Sequence, residues 1–297
     1  MKKIGGWADR NLKYLFTVPT IIFVLCMVLF PIIYTTILSF HSWRMSVNIP
    51  WEYVGMRNYI EMFSSSRFPM AALRTFIFAG VSLLVEVVLG LIIALALNRN
   101  FRCKNLTKTA FLLPMVATPV AIGMVWKLIY EPTIGILNYF IRYVLGGPKI
   151  DWLGSTTNAL YSLIVVDIWQ WTPMVMLIVL AGLSAISTEC YESAMVDGAT
   201  PFQTTTKITL PLLKPTIFTA VLLRLIDVLK TFDIIYSMTQ GGPGFATETI
   251  NILSYRQAFE FLEFGQASAT LVVFFIIVMV IAALTIKAKS KAEVDIW

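Results

Sequence analysis

The sequence predicts an all-α membrane protein with six transmembrane helices and both termini in the cytoplasm. Three observations predict it. First, 58% of the 297 residues are hydrophobic and only 13% are charged, with a mean hydropathy of +0.77. A soluble domain of this length has to cover its own surface with polar groups, so the apolar excess takes lipid as its solvent. Second, six apolar stretches approach or exceed the roughly 20 residues that cross a hydrocarbon core as a helix. Third, lysine and arginine concentrate in alternate connecting segments.

The six stretches are Tyr14–Phe40, Ala72–Leu97, Thr109–Tyr130, Ala159–Leu183, Thr216–Gln240 and Gly265–Ile286. The first follows Lys2, Lys3, Arg10 and Lys13 and so begins like a signal peptide. It is too long for a signal h-region and no small-x-small cleavage site follows it, so it reads as a retained helix. All six are too long and too uniformly apolar for the alternating strands of a barrel. Pro50, Pro69, Pro132, the run Gly146-Gly147-Pro148 and the run Gly241–Gly244 punctuate the segments between the odd spans and the spans that follow them. None of those segments is long enough for a separate domain.

With the N-terminus inside, the inner segments carry Lys2, Lys3, Arg10, Lys13, Arg99, Arg102, Lys104, Lys108, Lys207, Lys214, Lys287, Lys289 and Lys291, thirteen cations. The outer segments carry seven: Arg44, Arg57, Arg67, Arg74, Arg142, Lys149 and Arg256. This bias sets the orientation. Trp43, Trp51, Tyr53, Trp152 and Tyr255 then fall on the outer side, where they suit an interfacial belt or a surface that meets a partner.

Several chemistries are excluded. His41 is the only histidine, and Cys26, Cys103 and Cys190 are far apart with no metal-ligand spacing, so no metal site and no catalytic residue is expected. No GxxxxGK[ST] or GxGxxG motif is present, so this chain is expected to hold no nucleotide or other cofactor. The basic excess is accounted for by topology and implies no nucleic acid.

The segment between the fourth and fifth spans, Ser184 to Pro211, is too long for a turn. Ser187 or Thr188 can cap a short helix with Glu189 in its first turn. Gly198 suits the left-handed position that ends it. Thr200-Pro201-Phe202-Gln203 starts a second helix with a capping box and proline at its first position. Pro211 and Pro215 are expected to end that helix and redirect the chain. Ala194, Met195, Val196, Ala199 and Phe202 make the bend apolar. Such a bend serves either as a docking surface or as an amphipathic hairpin lying on lipid or on its own bundle, and the residues alone leave both open.

Ionisable and polar side chains also fall inside the spans, where each needs a partner or water. Glu86 lies in the second and Lys127 near the outer end of the third. Asp167, Trp169, Gln170 and Trp171 lie in the fourth, and Arg224, Asp227, Lys230, Asp233 and Tyr236 in the fifth. The three-residue spacing from 224 to 233 makes one slowly rotating stripe. Glu86 reads mainly as structural. Arg224, Asp227 and Lys230 fit internal ion pairs as well as a solute path. Asp233 and Tyr236, nearer the outside, fit the path better. Indole faces with carboxylate and amide groups are what a sugar ring and its hydroxyls need, so Asp167, Trp169, Gln170 and Trp171, with Asp227, Asp233 and Tyr236, are the candidate path residues. Adjacent helix positions point about 100° apart, so Trp169, Gln170 and Trp171 cannot all face one cavity, and packing against a partner subunit is the equal alternative for each aromatic.

The stretch Glu192-Ser193-Ala194-x-x-x-Gly198, nine residues, then Ile208-x-Leu210-Pro211 resembles the EAA loop of permease subunits of ATP-binding-cassette importers. Ser193 replaces the usual alanine, a small-for-small change. Asp197-Gly198-Ala199, Pro132 to Asn138, Thr239 to Thr249 and Tyr255-Arg256-x-Ala258-Phe259 resemble the carbohydrate branch, of maltose, glycerol-phosphate and oligosaccharide type. The resemblance runs nearly the whole chain, and without a large outer domain it is to the smaller six-helix members.

The resemblance implies a type I importer permease fold and a non-catalytic transport subunit. Glu192 and Gly198 are carried over to contact an ATPase, and Ala194, Met195, Asp197, Ala199, Phe202 and Pro211 complete the coupling surface. It also implies a second, homologous permease in a heterodimer, two cytoplasmic ATP-binding-cassette subunits holding ATP and Mg, and an extracellular or periplasmic solute-binding protein. Residues 1–71 would form the N-terminus, first span and outer loop, 72–287 a five-helix core with coupling loop 184–215, and 288–297 a tail. A permease for another solute class and an ion-coupled secondary transporter are the alternatives; the latter predicts inverted repeats and broken mid-membrane helices. A membrane-embedded enzyme would need a convergent site, and no such cluster is visible.

Overall fold

A computed structural model describes residues 2–44, 50–99 and 101–294. The side chains of Lys2, Lys3, Arg10 and Lys291, counted above as inner charges, lie outside the described set, as do residues 295–297 of the tail.

In chain order, helix α1 (Lys2–Leu38) is followed by a two-strand ribbon of β1 (His41–Ser42) and β2 (Glu52–Tyr53), antiparallel with His41 opposite Tyr53. Then come α2 (Arg57–Ser64), α3 (Arg67–Leu97), α4 (Lys104–Val116), α5 (Pro119–Ile129), α6 (Ile136–Tyr143) and α7 (Ala159–Ala185). Next are α8 (Thr188–Val196), α9 (Pro201–Thr204), a π-helical turn (Thr205–Thr209) and α10 (Leu210–Leu229). The chain closes with α11 (Asp233–Thr239), α12 (Ile250–Tyr255), a second π turn (Arg256–Glu260) and α13 (Phe264–Val294).

Among the described residues, four helical segments are long and apolar enough to span a membrane: Leu12–Leu38, Arg67–Leu97, Ala159–Ala185 and Phe264–Lys289. Lys104–Val116 and Pro119–Ile129 make a fifth if the pair counts as one span, but it is bent by 96°. The third stretch is therefore not the single helix expected over Thr109–Tyr130. Ala117 and Thr118 adopt extended backbone, and Pro119 starts a new helix at its first position. The fifth stretch also differs. Instead of one helix over Thr216–Gln240, α10 carries Lys214, Arg224 and Asp227 and stops at Leu229, and α11 restarts at Asp233. Three charges in twenty residues are why α10 is not apolar enough to count with the others.

Two compact units divide the chain. One comprises residues 1–65 and 254–273. In it Asn58 donates to the carbonyls of Ser39 and His41 at 2.8 and 3.0 Å, tying α2 to the end of α1 and to β1. Arg44 pairs with Glu263 at 2.8 Å, and Trp43 packs on Phe264 with ring centroids 5.0 Å apart. The side chains of α1 from Leu12 to Ile37 are mostly apolar and exposed, the pattern of a helix that needs lipid or another chain around it.

The other unit comprises residues 66–253 and 274–297. Its core is built by α3, α7 and α10, from Ala94, Leu97, Val175, Met176, Val179, Leu183, Leu213 and Ala220. Backbones approach closely here: a Cβ on Gly90 would lie 2.8 Å from Val175 Cβ and 3.0 Å from the Met176 nitrogen. Without a hydrophobic drive between helices in lipid, such small-residue contacts supply the packing. Away from this core, Arg67 binds Glu248 through two nitrogens at 2.8 and 2.7 Å, and its guanidinium stacks over Phe245. Asn138 donates to the Ile150 carbonyl at 2.8 Å and accepts from its N–H at 3.1 Å. Glu131 accepts from the backbone N–H groups of Ile134 and Thr133 at 2.6 Å each, which holds its pKa below the usual carboxylate value.

Candidate functional site

The loop between α7 and α10 is built from local rules. Ser187 caps α8, its hydroxyl accepting from the Glu189 N–H at 3.3 Å. At the other end Gly198 takes φ +73°, its N–H bonds the Met195 carbonyl at 3.1 Å and the Ala199 N–H bonds the Ala194 carbonyl at 2.9 Å. That pair of bonds is a Schellman motif, which needs the left-handed residue the sequence placed there. Thr200 and Gln203 form the expected capping box: Thr200 N–H donates to Gln203 Oε1 at 2.8 Å, and Gln203 N–H donates to Thr200 Oγ1 at 3.3 Å.

One expectation fails. Pro211 and Pro215 do not end the second helix. The backbone stays helical from Pro201 to Leu229, with the π turn over Thr205–Thr209 in between. Proline has no N–H and its ring clashes with the carbonyl four residues earlier in a regular α turn. The wider turn, closed by the Leu210 N–H on the Thr205 carbonyl, admits Pro211 without breaking the rod.

Met195, Val196 and Phe202 stand 69%, 88% and 76% exposed at the bend, while Ala194 is buried beneath them and Ala199 is half-buried. Burying these three tips would stabilise an encounter by about 1.5–3 kcal/mol each. Glu192 and Asp197 are also exposed. Asp197 sits at the C-terminal cap of α8, where a negative charge opposes the helix dipole, so it gains nothing from its own helix.

Polar residues of the helices separate into two groups. Arg224 is fully buried and joins three helices: it holds Glu86 of α3 through two nitrogens at 2.6 and 2.9 Å, and Asp167 of α7 at 2.5 Å. Its guanidinium also lies 5.3 Å from the Trp171 ring. Glu86 and Asp167 are 0% exposed. Gln170, equally buried, donates to the Ala117 carbonyl at 3.3 Å. Asp167 and Gln170 were candidates for a solute path. Here both point into the chain's own interior, Asp167 onto the charge of Arg224 and Gln170 onto the Ala117 carbonyl at the α4–α5 break.

The second group faces outward. Trp169 is 43% exposed, meets Trp126 edge-on with ring centroids 5.6 Å apart, and lines an apolar cavity of about 700 Å³ between α3, α4, α5 and α7. Asp227 and Lys230 are half-exposed and 3.4 Å apart. Asp233 is exposed in the first turn of α11, where it complements the dipole, and Tyr236 stacks on Phe232 at 5.1 Å. Lys127, exposed in the last turn of α5, does the same at the opposite pole. Sequence reasoning missed the joining of Glu86, Asp167 and Arg224, which are 138 and 57 residues apart in the pairs they make. The one available signal was an arginine in a span with two carboxylates in other spans.

The family described as binding-protein-dependent transport system inner membrane component matches residues 86–289. The chain belongs to this family. It is therefore an ABC-transporter permease and a multi-pass membrane protein. The trehalose/maltose transport system permease protein MalF of Thermococcus litoralis is 35% identical over 274 residues, covering 92% of each chain. A crystal structure of a bacterial ABC transporter that imports the acidic polysaccharide alginate superposes with a TM-score of 0.84, at 24% identity, over 97% of this chain and 99% of that one. A second alginate transporter structure, in complex with an alginate pentasaccharide-bound periplasmic protein, gives 0.83 at 25% identity over 94% of both.

Proposed function

We propose that this permease passes a sugar or sugar-like solute from an extracellular or periplasmic binding protein into the cytoplasm, driven by two partner ATPases that seat the α8–α9 bend. The observation that carries the reading is the bend itself: two capped helices fixed around Gly198, with exposed Met195, Val196 and Phe202 at the tip and exposed Glu192 and Asp197 beside them. A surface of this kind wants a partner. The relatives' sugar and alginate substrates support the solute class.

In this reading the chain crosses the membrane six times with both termini inside, the bent α4–α5 pair and α10–α11 serving as the third and fifth spans. A homologous permease supplies the other half of the path, and the two rock between outward- and inward-facing states. The ATPases bind ATP and Mg; this chain performs no covalent chemistry. Trp169, Trp171, Asp227, Asp233 and Tyr236 line the path, while Asp167 and Gln170 act by holding the helices that carry them.

Replacing Glu192 by Ala or Gly198 by Val in the assembled transporter tests the reading. Binding-protein-stimulated ATP hydrolysis is expected to fall at least tenfold while membrane insertion is kept. Normal stimulation in both variants would remove the bend from its role. Protection of the binding protein against heat, screened over sugars, identifies the solute class.

A further inference from the structure

We propose that Tyr191 and Thr209 form the link by which motion of α8 reaches α10, with the π turn as the element that takes up the strain. The inference rests on the coupling role given above to the α8–α9 bend.

Thr209 is the last residue of the π turn and is 4% exposed. Its hydroxyl donates to Tyr191 Oη at 3.3 Å and lies 3.3 Å from the Thr204 carbonyl. Among the described residues, no other side chain of α8 hydrogen-bonds to a neighbouring element. Ala194, 5% exposed, is the buried apolar residue of α8. A cleft of about 870 Å³, bordered by Asn98 and Arg99 on one side and by Tyr191 and Met195 on the other, separates α8 from the end of α3. Displacement of α8 thus has room on the α3 side and a polar handle on the α10 side.

That handle grips α10 where its ladder is least regular. π turns are rare single-turn bulges in helices and recur at functional sites. Thr204, Thr205 and Thr206 each return a hydroxyl bond to the carbonyl four residues back, at 3.1, 2.9 and 2.8 Å. Those bonds offer the local backbone an alternative partner while its own ladder shifts. Pro211 follows at once and cannot restore a regular α bond. A pull on Thr209 therefore acts on a turn that can tighten or widen by one hydrogen-bond register, above which α10 carries Arg224 and the buried helix junction.

Tyr191 and Thr209 act here as positioning residues. In the complete complex with its permease partner, ATPases and binding protein, Tyr191→Phe and Thr209→Val are each expected to lower binding-protein-stimulated ATP hydrolysis about three- to tenfold, the effect of one lost hydrogen bond. The double variant is expected to be no worse than Thr209→Val alone, because Tyr191→Phe removes only a contact that Thr209→Val has already removed. Thr209→Ser, which keeps the hydroxyl, restores the rate. Co-purification of the ATPases with each variant reports that α8 still docks. Wild-type stimulation in both single variants, or additive losses in the double, would overturn the link. If Gly198→Val decouples the same preparation while Tyr191→Phe does not, the link fails and the coupling role of the bend survives. If neither decouples, the coupling role itself falls.

Discussion

At the residue scale, two positions carry most of the physical argument. Gly198 has φ +73° and open space around the site of a Cβ, so any cost of substitution there comes from backbone conformation and none from crowding. Asparagine tolerates the left-handed region far better than β-branched residues do. Gly198→Asn is therefore expected to keep most of the stimulated ATP hydrolysis that Gly198→Val loses, and equal losses would show that the bend matters for reasons other than its turn. Arg224 is the second position. Removing one member of a buried ion group leaves an uncompensated charge, a loss of about 3–5 kcal/mol. Arg224→Ala should lower the thermal midpoint of the purified complex sharply. Arg224→Lys should recover only part, since a point charge cannot bridge two carboxylates as a guanidinium fork does. Replacing Glu86, Asp167 and Arg224 together by leucine should recover more stability than Arg224→Ala retains. Both positions could be singled out from the sequence, but with unequal success. The left-handed glycine follows from local rules, which act within a few residues. The partners of Arg224 depend on how α3, α7 and α10 cross, and periodicity along one helix holds no information about that.

At the scale of elements, the same division holds. Helices whose backbone runs on without interruption, such as α3 and α7, lie where hydropathy puts them, within a few residues, even though Glu86, Asp167 and Pro173 fall inside them. Stretches whose helical backbone is broken part-way do not. The third stretch bends by 96° at Ala117–Thr118, and the fifth stops at Leu229. Hydropathy averages over about 19 residues, so it passes over a two-residue break. The π turn was hidden for another reason: Pro211 announces that a regular turn must fail, but not whether the helix ends or widens. Packing between elements gives a further test at Gly90. An alanine there would press on Val175 and on the Met176 backbone. Gly90→Ala is expected to destabilise the protein by about 1–3 kcal/mol, read as a fall in thermal midpoint, with partial recovery when Val175 is also reduced to alanine. Strict additivity of the two changes would place the cost elsewhere.

For the whole molecule, the family match makes this chain a membrane component of a binding-protein-dependent transport system, and the proposed function makes it one part of an assembly. The face of α1 and the tips of the bend are apolar and uncovered, as surfaces that meet lipid or another chain are. The central claim is that the energy for movement enters from outside this chain, through the bend. Vesicles reconstituted with both permeases test it most directly, using binding protein loaded with the sugar that protects it from heat. Solute should enter only when both ATPases and ATP are supplied on the cytoplasmic face, and imposed proton or sodium gradients should not replace them. Uptake driven by an ion gradient with the ATPases left out would contradict the account.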